Sequence, residues 1–88
     1  MTHVDEKVAY LFDRIEGRMQ HAYARYGDFA STHEALGVAM EEWDELRSAI
    51  CLNDQSEIER EALDLAAVLI RLAWLMRTHN YQHERSMK

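Results

Sequence analysis

Two acid pairs stand out in this chain: Glu42-x-x-Glu45 and Glu61-x-x-Asp64. An i, i+3 spacing puts both members of each pair on one face of a helix. The polar stretch Leu52-Asn53-Asp54-Gln55-Ser56 separates them, and the pairs are mirror-related about Asn53. If two helices fold back on each other there, all four carboxylates meet at one level, roughly 12–14 Å from the turn at ~1.5 Å of rise per residue. Arg47, Arg60 and Arg71 are the cations expected close by, too few to neutralise the group. Unpaired carboxylates in an apolar seam cost several kcal/mol or take up protons. A bound divalent cation resolves the conflict, and an all-oxygen ligand set suits Mg²⁺, with Mn²⁺ as a substitute, over zinc. A diiron bundle would want Glu-x-x-His, and no histidine follows a glutamate by three.

Three helices are expected to position these groups. Over residues 4–26, Val4, Val8, Leu11, Phe12, Ile15, Met19, Ala22, Tyr23 and Tyr26 step by three and four, the pattern of an amphipathic helix. Arg14, Arg18 and Arg25 fall outside that stripe. Gly27-Asp28-Phe29-Ala30 is a connecting loop, and Ser31 with Glu34 forms a capping box. The second helix, over 32–51, carries a broad apolar face of Leu36, Ala39, Met40, Trp43, Leu46 and Ile50. A parallel line of Ala35, Val38, Glu42, Glu45, Ala49 and Leu52 holds the first acid pair, while Glu41, Asp44 and Ser48 point to solvent.

Asp54 or Ser56 caps the third helix, expected over 56–79. Its core face is Ile58, Ala62, Leu65, Leu69, Leu72 and Met76, flanked by Glu61, Asp64, Val68, Arg71 and Leu75. From position 62 to 70 every residue except Asp64 is apolar. Two other helices of so short a chain leave part of such a helix bare, which predicts an obligate homodimer or a dimer of dimers. The polar tail over 80–88 is expected to fray. The expected fold class is therefore all-α: a single domain over 1–88, an antiparallel hairpin plus an N-terminal helix, with a four-helix-bundle-like core completed by oligomerisation.

Composition narrows the function. The net charge of -6 is concentrated between Glu34 and Asp64, which hold ten acids and two bases. The absence of a basic stripe argues against nucleic acid as a partner. A lone Cys51, no signal-like segment and no long apolar run point to a cytoplasmic protein without a membrane partner.

Glu41-Glu42-Trp43-Asp44-Glu45 followed by Glu61-x-x-Asp64 resembles the EExxE…ExxD motif of the all-α nucleoside triphosphate pyrophosphohydrolases, the MazG-like superfamily that includes dimeric dUTPases. The resemblance covers about residues 29–75. It implies Mg²⁺-dependent hydrolysis of a (d)NTP to the monophosphate and pyrophosphate, in the service of nucleotide-pool house-cleaning. Glu42, Glu45, Glu61 and Asp64 would be the metal ligands, and Glu45 would orient or deprotonate the attacking water. Phe29 matches a base-contacting aromatic. Gly37 and Val38 stand where many members place a lysine, and Arg71 stands where many place an asparagine. On its charge and position, Arg71 either holds a phosphate oxygen or pairs with a seam acid. The alternative is a non-catalytic helical oligomer that binds a nucleotide or a protein partner through the same acidic groove.

Overall fold

The computed structural model describes the backbone of residues 5–87 and the side chains of residues 5–78. Three helices follow one another: α1 (Glu6–Tyr26), α2 (Thr32–Cys51) and α3 (Gln55–Met87). Each start is fixed by a side chain that accepts from otherwise unpaired N–H groups of the first turn. Asp5 accepts from the backbone of Lys7 and Val8. Ser31 accepts from Glu34 N at 3.0 Å, and the Glu34 carboxylate accepts from Ala30 N at 3.0 Å. Asp54, not Ser56, caps α3, accepting from Glu57 N at 3.2 Å. The first helix thus starts two residues later than its periodicity suggests, because Asp5 supplies the cap. The third runs on to Met87 instead of stopping near position 79; the side chains of the tail lie outside the described residues.

Two turns set the path of the chain. Gly27 ends α1 at φ 74°, ψ -163°, a backbone region open to glycine and strained for other residues. Asn53 adopts φ 54°, the left-handed conformation that asparagine tolerates better than most residues. Asn53 is the centre of the mirror relation between the acid pairs, and α2 and α3 do pack against each other on either side of it.

The third helix is the middle layer. Helices α1 and α2 both pack on it and not on each other. One side of α3 joins Phe29, Ala35, Val68 and Leu75 in a buried cluster with Val38, Ala39, Leu72 and Met76 packed around it. The other side joins Ile15, Leu63 and Ala67, with Leu11, Met19 and Ala66 alongside. Two sides of its apolar stretch are thus covered within the chain, one by α2 with the loop before it and one by α1.

The expected division of α2 is inverted. Its contact face is the line Ala35, Val38 and Ala49, joined by Ala39 of the broad face, whose Leu46 is half-buried. Small side chains there let the two helix axes approach, since interaxial distance follows the size of the residues at the contact. The larger Leu36, Met40, Trp43 and Ile50, expected in the core, are 48–58% exposed. On α1 only Leu11, Ile15 and Met19 pack inward; Phe12, Tyr23 and Tyr26, expected on the packed stripe, are exposed. Leu69, Ile70 and Trp74 of α3 are exposed as well. Among the described residues no helix is long and apolar enough to cross a membrane.

Candidate metal centre and its groove

The hairpin brings three of the four motif acids together. One carboxylate oxygen from each of Glu42, Glu45 and Glu61 lies within 4.8 Å of the others. The cause is the register set at Asn53, which places the third turn of α2 opposite the second turn of α3. Glu61 is buried at 7% exposure, Glu42 is half-buried and Glu45 reaches solvent. Glu42 Oε2 and Glu61 Oε2 are both buried and have no hydrogen-bond partner. An orphaned buried oxygen of this kind costs about 1–3 kcal/mol, more when charged.

The electrostatics follow from that crowding. Burial, then the neighbouring charges of Glu45, Asp64, Glu61 and Glu41, raise the Glu42 pKa from 4.5 to about 7. Burial, then the adjoining Glu45 carboxyl and the charge of Asp64, also raise Glu61, against a small opposing pull from Arg60. Metal-free, Glu42 therefore takes up a proton as pH falls through about 7, a proton that an ion would displace. The all-oxygen donor set suits a hard divalent cation; a Mg²⁺ shell with Mg–O distances of ~2.1 Å needs ligand oxygens about 3–4 Å apart, so oxygens within 4.8 Å of one another would draw in around an ion. The exposed Glu45 leaves the cluster open to water.

Asp64, expected as the fourth ligand, is not in this set. Its Oδ1 accepts from Arg18 Nε at 2.6 Å, in an ion pair whose side chains are 22% and 33% exposed. A short charge-assisted bond to a half-buried guanidinium is among the stronger pairings open to a carboxylate, and it holds the side chain toward α1. The supply of nearby cations also differs from expectation. Arg47 pairs with Asp44 on the surface at 3.3 Å. Arg60 bonds Glu57 and comes no nearer to Glu61 than 3.7 Å. The cation that matters is Arg18, which lay outside the expected stripe.

Among the described residues Arg71 forms no ion pair with a seam acid. Its Nη2 donates to Gly27 O at 3.0 Å, and its guanidinium lies 4.1 Å from the centroid of the Phe29 ring. Phe29 itself is 6% exposed and part of the core. Arg71 thus closes the loop after α1 onto the hydrophobic cluster and covers one face of the aromatic.

A groove of about 910 Å³ runs between α1 and α2 over the floor of α3. Glu42 and Asp64 sit in its wall, facing Arg14, Arg18 and His21 of α1, with Arg71 also lining it. This basic wall was not expected from the sequence. Its signal is the spacing Arg14, Arg18, His21, Arg25, which follows one edge of a helix; the pattern alone does not reveal that this edge turns toward the acids. Comparison of the chain with family models, curated proteins and solved structures finds no match to any of the three.

Proposed function

We propose that this chain is a Mg²⁺-dependent nucleoside triphosphate pyrophosphohydrolase of the MazG-like kind, converting a (d)NTP to the monophosphate and pyrophosphate. The observation that carries the reading is the pair of buried, partnerless oxygens on Glu42 and Glu61 beside Glu45: Glu42 lines the groove whose other wall carries Arg14 and Arg18, while Glu45 and Glu61 line a smaller depression on the other side of the cluster. Two buried carboxylate oxygens without partners favour a cation, and Arg14 and Arg18, each held by a single carboxylate of α3, favour a more highly charged anion in the groove; a metal-complexed polyphosphate answers both. The groove also lies within the ~300–1,000 Å³ usual for small-molecule sites.

In this reading Glu42, Glu45 and Glu61 hold the ion. A divalent cation supplies positive charge against the phosphates and makes water a better nucleophile near neutral pH. Glu45, the exposed member, takes the proton from the water that attacks the α-phosphorus; the α–β bridging bond breaks and pyrophosphate leaves. Arg14, Arg18 and His21 receive the phosphate chain. Phe29 is packed and capped by Arg71, so the guanidinium, not the ring, is the flat surface offered to a base.

The functional unit is a homodimer or a dimer of dimers. Leu36, Met40, Trp43 and Ile50 recur at helical spacing on one exposed face of α2, and no large side chain among the described residues is fully buried. A second copy completes a four-helix core by covering that face. A cytoplasmic setting agrees with the single free, exposed Cys51.

The test is phosphorus NMR of the products from a panel of nucleoside triphosphates with Mg²⁺. Monophosphate plus pyrophosphate, lost in Glu61→Gln, is the expected result; orthophosphate release or no turnover on any nucleotide overturns the catalytic reading. A second reading, a nucleotide-binding oligomer without turnover, draws on the diversion of Asp64 to Arg18, and calorimetry showing binding without products would select it.

A further inference from the structure

The last of the four motif acids is not beside the other three. Asp64 lies close enough for its charge to act on Glu42, yet its carboxylate is taken by Arg18 at 2.6 Å. Arg18 is also tethered on its own helix, where Nη1 donates to Arg14 O at 3.3 Å. Both partners line the groove. The two sides therefore share one ion pair: the acid is withheld from the cation cluster, and the guanidinium is withheld from any anion in the groove.

We infer that Arg18 and Asp64 form a latch that makes binding of a divalent cation and binding of a polyphosphate mutually reinforcing. Arg18 is a positioning residue in this scheme. A phosphate chain in the groove offers Arg18 a more highly charged bidentate partner than one carboxylate. Once Arg18 turns to it, Asp64 is free to join Glu42, Glu45 and Glu61. Conversely, a cation that draws Asp64 inward frees Arg18 for phosphate. Each ligand then removes a cost that the other would otherwise bear, and such coupling is reciprocal. The two ends of the pair belong to α1 and α3, which are also joined by packing and by the Arg14–Glu59 ion pair at 3.3 Å, so the exchange needs side-chain rotation and no rearrangement of the hairpin.

This inference rests on the acid cluster and groove of the proposed function but not on turnover. Its test uses equilibrium binding to the full chain, one ligand at a time, because polyphosphate chelates metal in solution. Calorimetry with Mn²⁺ alone compares wild type, Arg18→Gln, Asp64→Asn and the double variant. Freeing Asp64 changes the set of groups holding the ion, and changes of that order alter affinity by about 10–100-fold. Arg18→Gln is expected to bind Mn²⁺ about tenfold more tightly than wild type, and to have no effect on Mn²⁺ binding in the Asp64→Asn background. Loss of a positive charge alone would instead strengthen Mn²⁺ binding equally in both backgrounds, and that result overturns the latch. So does an Asp64→Asn variant that loses Mn²⁺ as severely as Glu61→Gln.

The second arm uses inorganic tripolyphosphate with chelator present. Asp64→Asn is expected to bind it several-fold more tightly, and that gain should vanish when Arg18 is also Gln. Should the Gln variant not fold, Arg18→Lys keeps the charge and is expected to give a smaller change of the same sign. Coupled binding without nucleotide turnover would leave the latch standing and remove the pyrophosphohydrolase reading; no binding of either probe removes both.

Discussion

Replacing Glu42 with glutamine should have opposite effects on the metal-free and the metal-loaded protein. Glu42 is crowded by Glu45, Asp64, Glu61 and Glu41, and its pKa stands at about 7 against 4.5 for an ordinary glutamate. A carboxyl raised in this way is protonated in the fold before it is protonated in the unfolded chain. Its destabilising effect is thus absent below about pH 4.5, builds as pH rises to about 7, and is constant above that. Taken at face value the displacement corresponds to ~3 kcal/mol. The side chain is only half-buried, so solvent screening brings this down to about 1–2 kcal/mol. An isosteric amide removes the charge and adds a donor for the neighbouring oxygens. Metal-free Glu42→Gln at pH 8 should therefore melt about 5–15 °C above wild type at equal protein concentration, with little difference at pH 5. Adding Mn²⁺ reverses the order. At a hundredfold excess over Kd a bound ion adds ~2.7 kcal/mol to the wild type, and the variant gains little. Circular dichroism melts at both pH values, with chelator or with Mn²⁺, provide the assay. A variant that is less stable than wild type at pH 8 in chelator, or one that responds to Mn²⁺ as fully as wild type, would refute the reasoning.

Other substitutions probe the rest of the structure. Arg71→Ala deletes the bond to Gly27 O and the cover over Phe29, and urea unfolding should show a loss of about 1–2 kcal/mol; an unchanged midpoint would mean that neither contact contributes. Trp43→Asp, on the exposed face of α2, should shift the protein from dimer toward monomer in sedimentation velocity, and a wild type that is already monomeric would contradict the assembly. Gly17→Ala, at a helical position where an added Cβ meets nothing within 4 Å, should raise stability by about 0.5–1 kcal/mol; a loss would show that α1 is more tightly packed there than the fold indicates.

Much of the architecture was legible because its determinants are local. Ser31 with Glu34, the break around Asn53 and the i, i+3 acids are short-range patterns, and α2, the hairpin and the Glu42–Glu45–Glu61 meeting follow from them. What periodicity cannot give is the direction in which an apolar stripe turns. Helix α2 carries two adjacent apolar lines, and the one with larger residues was expected inside. Close approach of the helices instead selected the alanines and left Leu36, Met40 and Trp43 exposed. The same gap hid Arg18, whose place in the site depends on how α1 is rotated against α3. Arg71 was legible as a special residue, but its partners, a loop carbonyl and a buried ring, come from a segment 40 or more positions away.

Whether three carboxylates hold a cation decides the rest, and one titration addresses it directly. Calorimetric binding of Mn²⁺ at neutral pH should be compared among wild type, Glu61→Gln and Glu41→Gln, the last being an exposed acid on the outer side of the same hairpin. Saturable binding that Glu41→Gln retains and Glu61→Gln weakens by at least about tenfold is the predicted result. Equal weakening in the two variants, or no saturable binding by the wild type, would contradict it.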